Sequence, residues 1–141
     1  MEFIAKNKDD FCQKCWDVIR KRIHPGFVLG LTGDLGSGKT TLAKFIAAKL
    51  GYKGVVSSPT FVLQKKYPLV NNRLGISAIN HIDLYRVSDG DGEQVNEWLA
   101  GSDDLVIVEW ADRVNPKKFD VIIKIAFLSD NKKRKVVVKW K

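Results

Sequence analysis

The stretch TGDLGSGKTTL, at residues 32–42, constrains the fold of this 141-residue chain more than any other feature. Its fixed positions follow the spacing G-x-x-x-x-G-K-[ST], the phosphate-binding P-loop pattern, and are Gly33, Gly38, Lys39 and Thr40. Glycine lets the backbone turn tightly, so that successive N–H groups can converge on an anion. A P-loop lies between a strand and a helix, and the motif therefore predicts an α/β fold.

Both flanks of the loop have the patterns that a P-loop requires. The run FVLGLT is apolar and of strand type, and TTLAKFIAAKLG places apolar residues on one helical face, with Gly51 positioned to end that helix. Lys39 is expected to meet the β- and γ-phosphates of a nucleotide, and Thr40 to bind one Mg²⁺. The residues expected to bind the nucleotide are Leu35, Gly36, Ser37, Gly38, Lys39, Thr40 and Thr41.

A P-loop also needs a carboxylate at the end of a neighbouring strand, because Mg²⁺ takes oxygen ligands and the attacking water must be held in line. Glu109 follows the apolar run LVIV, and the carboxyl ends of parallel strands face the ligand in open α/β sheets. Asp83 lies in NHIDLYR. The competing interpretations are a surface acid for Glu109, and a turn cap or a salt bridge to Arg86 for Asp83. His81 is either a polar contact near the phosphates or a satisfied strand-end residue.

The composition excludes several classes of protein. Hydrophobic residues make up 45% and charged residues 28% of the chain, which is typical of a soluble globular protein. The longest apolar stretches are too short to span a membrane, and MEFIAKNKDD lacks the apolar core of a signal peptide. We therefore expect a single cytoplasmic domain, residues 1–141. The net charge of +8 favours anionic partners, either nucleotides or nucleic acids.

Cys12 and Cys15 form a C-x-x-C pair, which raises the question of redox or zinc chemistry. Two cysteines cannot close a four-ligand zinc site, and no thioredoxin-like strand precedes them. The surrounding FCQKCWDVIRKRI is amphipathic, so we predict a helix over about residues 8–22 that buries both thiols.

The remaining pattern predicts a mixed sheet. Strands are expected at residues 60–67, within 76–87 and at the run before Glu109, with a polar hairpin near residues 71–75 and a short helix at 93–99. DVIIKIAF and RKVVVKW predict a C-terminal antiparallel hairpin. The predicted fold class is α/β: a P-loop NTPase fold with a mostly parallel central sheet flanked by helices. SSPT, at residues 57–60, is either a loop that senses the γ-phosphate or a plain turn.

Four motifs in this order, GDLGSGKTTL, SSPTFVLQKKY, HIDLYR and VIVEW, resemble the bacterial TsaE (YjeE) family. Its members are small P-loop ATPases of the machinery that makes N6-threonylcarbamoyladenosine beside the anticodon of tRNAs. The resemblance covers roughly residues 27–110, and the basic tail hairpin also fits. It implies that Lys39 and Thr40 bind phosphate and Mg²⁺, that Glu109 completes the metal site, and that Asp83 contributes to hydrolysis.

The resemblance also implies partners and further residues. ATP hydrolysis would be slow in isolation and stimulated by the TsaD transferase subunit and its paralogue TsaB, while tRNA would be contacted directly or through that complex. Trp110 would be needed for function, and Arg134 would reach the nucleotide from the tail. The segment between LYR and VEW is shorter than the family pattern, and Cys12 stands where the family often has Thr.

Two other functions compete with this one. A small-molecule or nucleoside kinase would also combine a P-loop with a short chain, but it needs an acceptor pocket and an arginine-rich lid, and Arg73, Arg86 and Arg113 are scattered. A nucleic-acid-binding module with an incidental P-loop would bind tRNA in a strongly salt-dependent way and ignore ATP. No segment interleaves aromatic and basic residues as single-strand binders do.

Overall fold

The computed structural model describes residues 1–57, 64–88, 91–100, 103–129 and 132–141. These residues form seven strands and three α-helices. In chain order the elements are β1 (Glu2–Ala5), α1 (Lys8–Ile19), β2 (Val28–Thr32), α2 (Lys39–Lys49), β3 (Gln64–Pro68), β4 (Ala78–Asp83), α3 (Gly92–Leu99), β5 (Leu105–Glu109), β6 (Val121–Phe127) and β7 (Arg134–Trp140). Two short 3-10 turns, at residues 111–113 and 116–118, connect β5 to β6.

The strands form one mixed sheet in the order β1-β7-β6-β2-β5-β4-β3. The four central strands, β6, β2, β5 and β4, run parallel to one another. The outer pairs, β1 with β7, β7 with β6 and β3 with β4, are antiparallel. The predicted fold class is thereby confirmed, including the parallel centre and the C-terminal hairpin of β6 and β7.

Helices cover the central strands on both faces. Leu29 and Leu31 of β2 pack in the layer that contains α1 and α2, whereas Val106 and Val108 of β5 pack with α3. All five residues of β5 are buried. Parallel strands that are covered on both faces consist largely of apolar residues. The carboxylate of Glu109 lies where β5 ends.

Helix α2 begins at the P-loop lysine, and a glycine shortly after its last residue terminates it. It turns four apolar residues into the core: Leu42, Ala43, Ile46 and Ala47. At its end Gly51 has a φ of +92° and donates to the carbonyl of Ala48 at 3.0 Å, while the Tyr52 amide donates to the carbonyl of Ala47 at 2.9 Å. This pair of bonds is a Schellman motif, which glycine favours because it has no Cβ to oppose a positive φ. The predicted role of Gly51 is confirmed.

Two element boundaries differ from those predicted. Helix α1 ends at Ile19 rather than Arg22, because the amides of Arg22 and Ile23 both donate to the Ile19 carbonyl, at 2.9 and 3.2 Å, in a tight turn. Of the strand predicted at residues 60–67, residues 64–67 lie in β3, and residues 60–63 lie outside the described ranges.

Strand β1 is an element that the sequence did not predict. It pairs with β7 at the far end of the chain, with Glu2 opposite Val137. Only Ala5 of its four residues is buried, so its apolar pattern is weak. Within the described ranges, no helix has the length and apolar character needed to cross a membrane.

Gly30, at the centre of β2, lies close to the segment between β5 and β6 that covers this face of the sheet. A Cβ added there would lie 2.8 Å from the Ala111 Cβ and 2.9 Å from a ring carbon of Phe119. Gly30→Ala should therefore lower the free energy of unfolding by about 1–3 kcal/mol, the usual cost of overpacking. Chemical denaturation measures this. Gly92→Ala, where an added Cβ meets nothing within 4 Å, is the matched control and should not destabilise the protein. Equal stability of both variants would contradict the close packing.

Candidate functional site

The P-loop runs from the end of β2 to the start of α2, and its glycines adopt conformations that other residues avoid. Gly33, Gly36 and Gly38 have φ values of +151°, +76° and +118°. At Gly33 an added Cβ would lie 2.6 Å from both the Ile125 carbonyl oxygen and the Ser37 Oγ. This glycine is therefore required both by its backbone angle and by the space around it.

Lys39 points its ammonium group into the curve of the loop. Its Nζ donates to the carbonyls of Gly33 at 2.6 Å and Asp34 at 2.9 Å, and lies 4.3 Å from the ring centroid of Trp110. Burial lowers the pKa of this ammonium, while the nearby carboxylates of Glu109 and then Asp83 oppose that shift. The loop thus holds a cation at the place where the motif predicts phosphate.

The carboxylate of Glu109 contacts the first turn of α2. The Thr40 hydroxyl lies 2.9 Å from Oε1 and 3.0 Å from Oε2 of Glu109, so its single proton is shared between the two oxygens. The ring Nε2 of His81 also contacts Glu109 Oε2. Glu109 is buried, which excludes the surface-acid interpretation. His81 makes this polar contact from within β4 and has no exposed surface. A contact of His81 near the phosphates stays a prediction.

Asp83 ends the neighbouring strand at the level of Glu109. The two residues are direct partners in the β4–β5 register. The Asp83 Oδ1 accepts a hydrogen bond from the Tyr85 amide at 2.9 Å, so this carboxylate does cap a turn, as one of the sequence interpretations holds. The same residue lines the cavity above the P-loop, so capping and a role in the site are compatible.

A cavity of about 270 Å³ lies over these groups. It brings together most of the predicted site residues, namely Leu35, Gly36, Gly38, Lys39, Thr40, Thr41, Asp83 and Glu109, and adds Lys8, Tyr85, Trp110 and Arg134. Ser37 belongs to the predicted set but does not line the cavity. Its side chain is buried, and no residue of the described ranges hydrogen-bonds its Oγ.

Arg134 reaches the loop from the start of β7. Its Nε donates to the Ser37 carbonyl at 2.9 Å, and its guanidinium lies 4.9 Å from the ring centroid of Phe127 and 5.4 Å from that of Phe11. The side chain is buried and lines the cavity. Contact between Arg134 and a nucleotide remains a prediction, but its position beside the P-loop is a finding.

Trp110 follows Glu109 in a left-handed conformation, with a φ of +61°. Such a backbone is costly for a large side chain and is found where the surroundings enforce it. Here the indole ring lies 4.3 Å from the Lys39 ammonium and 4.9 Å from the ring centroid of Tyr85, measured from its own centroid. Sequence reasoning missed Lys8 and Tyr85, although Tyr85 lies within the quoted HIDLYR motif.

The loop SSPT lies largely outside the described ranges. Ser57 accepts a hydrogen bond from the Lys65 ammonium at 2.7 Å through its Oγ, and another from the Tyr67 hydroxyl at 3.1 Å through its carbonyl. Residues 58–60 are not described. Sensing of the γ-phosphate by this loop therefore stays a prediction.

The oxygen atoms of Thr40 and Glu109 are side-chain donors in the site that suit Mg²⁺. They are 2.9 Å apart, so an ion bound by both would take the place of the hydrogen bond between them, with the hydroxyl coordinating through a lone pair. No group of three or more His, Cys, Asp or Glu residues in the described part of the chain could hold a metal ion alone. Mg²⁺ usually binds through one or two protein oxygens, with water and substrate phosphates completing the shell. The donors present fit that pattern.

The layered fold, the loop between β2 and α2, and the carboxylate at the end of β5 together define a P-loop NTPase fold. The sequence profile of the family described as threonylcarbamoyl adenosine biosynthesis protein TsaE matches residues 6–136. The chain belongs to this family, which confirms the resemblance drawn from its four motifs.

Individual relatives agree with this assignment. The tRNA threonylcarbamoyladenosine biosynthesis protein TsaE of Bacillus subtilis is 37% identical over 107 residues, which cover 72% of this chain and 64% of that protein. The protein of the same name from Aquifex aeolicus is 35% identical, over 94% of this chain and 92% of its own. The crystal structure of Bacillus subtilis YdiB matches with a TM-score of 0.72 and 26% identity, over 99% of this chain and 84% of that one. In the sequence alignment, this chain covers less than two thirds of the length of the TsaE protein of Bacillus subtilis.

The two cysteines are buried in α1, as predicted, and both are free. Burial, with a smaller contribution from the Asp9 carboxylate, raises the pKa of the Cys12 thiol to about 11, and burial also raises the pKa of Cys15. Both thiols should therefore resist a thiol-reactive probe such as DTNB at pH 8 in the native protein and react at once in guanidinium chloride. Absorbance against time measures this. Rapid reaction in the native state would contradict the packing role and favour redox chemistry.

Proposed function

We propose that this protein is a slowly hydrolysing accessory ATPase in the formation of N6-threonylcarbamoyladenosine on tRNA, acting in the cytoplasm with the TsaD–TsaB complex. The observation that carries the proposal is the convergence of the Lys39 ammonium and the Thr40–Glu109 pair on one cavity above the P-loop. Membership of the TsaE family supports the tRNA-modification role. The proposed ligands are ATP and Mg²⁺.

In this proposal the loop and Lys39 bind the phosphates of ATP. The ammonium exchanges its bonds to the Gly33 and Asp34 carbonyls for bonds to the β- and γ-phosphates, while backbone N–H groups from Leu35 to Thr41 surround the anion. The ammonium is buried, and electrostatic interactions are stronger where water is excluded. Lys39 thus stabilises the charge that the phosphoryl group carries during its transfer.

Thr40 and Glu109 would hold Mg²⁺ together. The ion would supply positive charge to the phosphate oxygens and fix their orientation. Asp83, the register partner of Glu109 and also on the cavity wall, is placed to orient the attacking water or to relay the state of the site to the loop after β4. Its bond from the Tyr85 amide couples it to that loop.

The residues that line the cavity favour an accessory role over the kinase alternative. Among the described residues Arg134 is the only arginine on its wall, so an arginine-rich lid is not assembled there. We propose that chemistry on tRNA takes place on the partner proteins.

Hydrolysis of ATP by the purified protein tests the proposal directly. We expect slow, Mg²⁺-dependent turnover that TsaD and TsaB accelerate. Lys39→Ala should reduce turnover by about a hundredfold or more, because one preorganised charge contact in a dry site typically contributes that much. Lys44→Ala, on the exposed face of the same helix, is the matched control and should turn over ATP normally. If the partners have no effect while a small-molecule acceptor becomes phosphorylated, the protein is a kinase.

The division of roles between the two carboxylates is a separate prediction. Glu109→Ala should impair Mg²⁺-dependent turnover and leave metal-free nucleotide binding intact, because it removes one proposed ligand of the ion. Asp83→Asn should lower kcat and leave the Mg²⁺ requirement unchanged. Titrations of activity against Mg²⁺ distinguish the two. Normal hydrolysis by Glu109→Ala would make Asp83 the leading ligand.

A further inference from the structure

His81 is a histidine in the middle of the sheet, with no exposed surface. It lies on β4 opposite Ile107 of β5, two residues before Asp83, so both side chains point to the α2 face of the sheet. The Tyr67 ring packs against it with a centroid separation of 6.1 Å. A polar ring so deeply buried needs a hydrogen-bonding partner to offset its desolvation.

The two ring nitrogens of His81 have different surroundings. Nε2 contacts the Glu109 Oε2, whereas Nδ1 is buried and accepts or donates no hydrogen bond among the residues that the structure describes. A neutral imidazole has one N–H donor and one acceptor nitrogen. Glu109 as a carboxylate only accepts, so the Nε2 that contacts it carries a proton. The geometry therefore indicates that His81 donates to Glu109 through Nε2–H.

The Glu109 carboxylate is consequently held by donors from two elements. Thr40 supplies its hydroxyl from α2 and His81 supplies Nε2–H from β4. If Thr40 and Glu109 held a metal ion, the hydroxyl oxygen would coordinate it through a lone pair, and the hydrogen bond from Thr40 to Glu109 would be lost. The bond from His81 can remain because it occupies only Oε2.

We infer that His81 is a positioning residue, whose Nε2–H orients the Glu109 carboxylate for binding Mg²⁺ together with Thr40. The inference rests on the proposed function for the metal, but the orientation of Glu109 by His81 is a property of the protein itself. Residues that orient a metal ligand through a hydrogen bond typically change metal affinity by about tenfold to a hundredfold when they are replaced.

The first experiment needs neither nucleotide nor metal. The chain has only two histidines, so ¹⁵N-histidine NMR resolves both rings. We expect a proton on the His81 Nε2, and the Nε2 resonance should shift in Glu109→Ala while the signals of the exposed His24 do not. A His81 ring protonated on Nδ1 alone would overturn the inference whatever the protein does with ATP.

The second experiment measures Mn²⁺ affinity by electron paramagnetic resonance, with the non-hydrolysable analogue AMP-PNP bound. His81→Leu removes the donor and should weaken Mn²⁺ binding about tenfold or more, while AMP-PNP affinity in EDTA stays the same. His81→Gln keeps an N–H at similar reach and should stay close to wild type. His24→Gln is the matched control, and thermal unfolding verifies that each variant is folded.

The outcomes separate the two proposals. If folded His81→Leu binds Mn²⁺ as tightly as wild type, the positioning role is wrong while the proposed ATPase stands. If His81→Gln loses as much Mn²⁺ affinity as His81→Leu, the donor is not what matters, and the role is again wrong. If wild type binds no AMP-PNP or no Mn²⁺ with it, the proposed function fails, and the NMR result alone decides whether His81 orients Glu109.

Discussion

The buried carboxylate of Glu109 is the constraint on which the site depends. A buried charge costs several kcal/mol unless hydrogen bonds compensate it. Here the compensation comes from Thr40 on α2 and His81 on β4, so one side chain joins three elements. That arrangement requires β5 to lie between β2 and β4 in the observed parallel registers. The hydrogen bonds to the Glu109 carboxylate thus form only when α2 and the central strands have the positions observed.

Most of the fold could be predicted from local sequence patterns. The P-loop spacing indicates the strand and helix on either side of it, and the continuous apolar run before Glu109 indicates a strand covered on both faces. Gly51 is recognisable as a helix end because it needs a positive φ. These signals depend on residues near one another in the chain, where period and turn chemistry are informative.

The contacts that complete the site could not be predicted in this way. Strand β1 is short and mostly exposed, and its pairing with β7 joins the two ends of the described chain. His81 and Glu109 are 28 positions apart, and neither local sequence shows that β4 and β5 will pair and bring these two side chains together. The bond from Arg134 to the Ser37 carbonyl spans 97 positions. Such pairs follow from strand order, which no local pattern specifies.

The bond between Arg134 and Ser37 has a consequence for synthesis of the chain on the ribosome. The P-loop emerges early, whereas the arginine that supports it from β7 emerges 97 positions after Ser37. Strand β1 likewise cannot pair until β7 has emerged. Native contacts of such wide sequence separation form slowly because the intervening loop must close first. A nascent chain that already contains the entire phosphate-binding motif still lacks the support for its loop. If the protein binds a nucleotide as proposed, the nucleotide can stabilise it fully only after translation has passed β7.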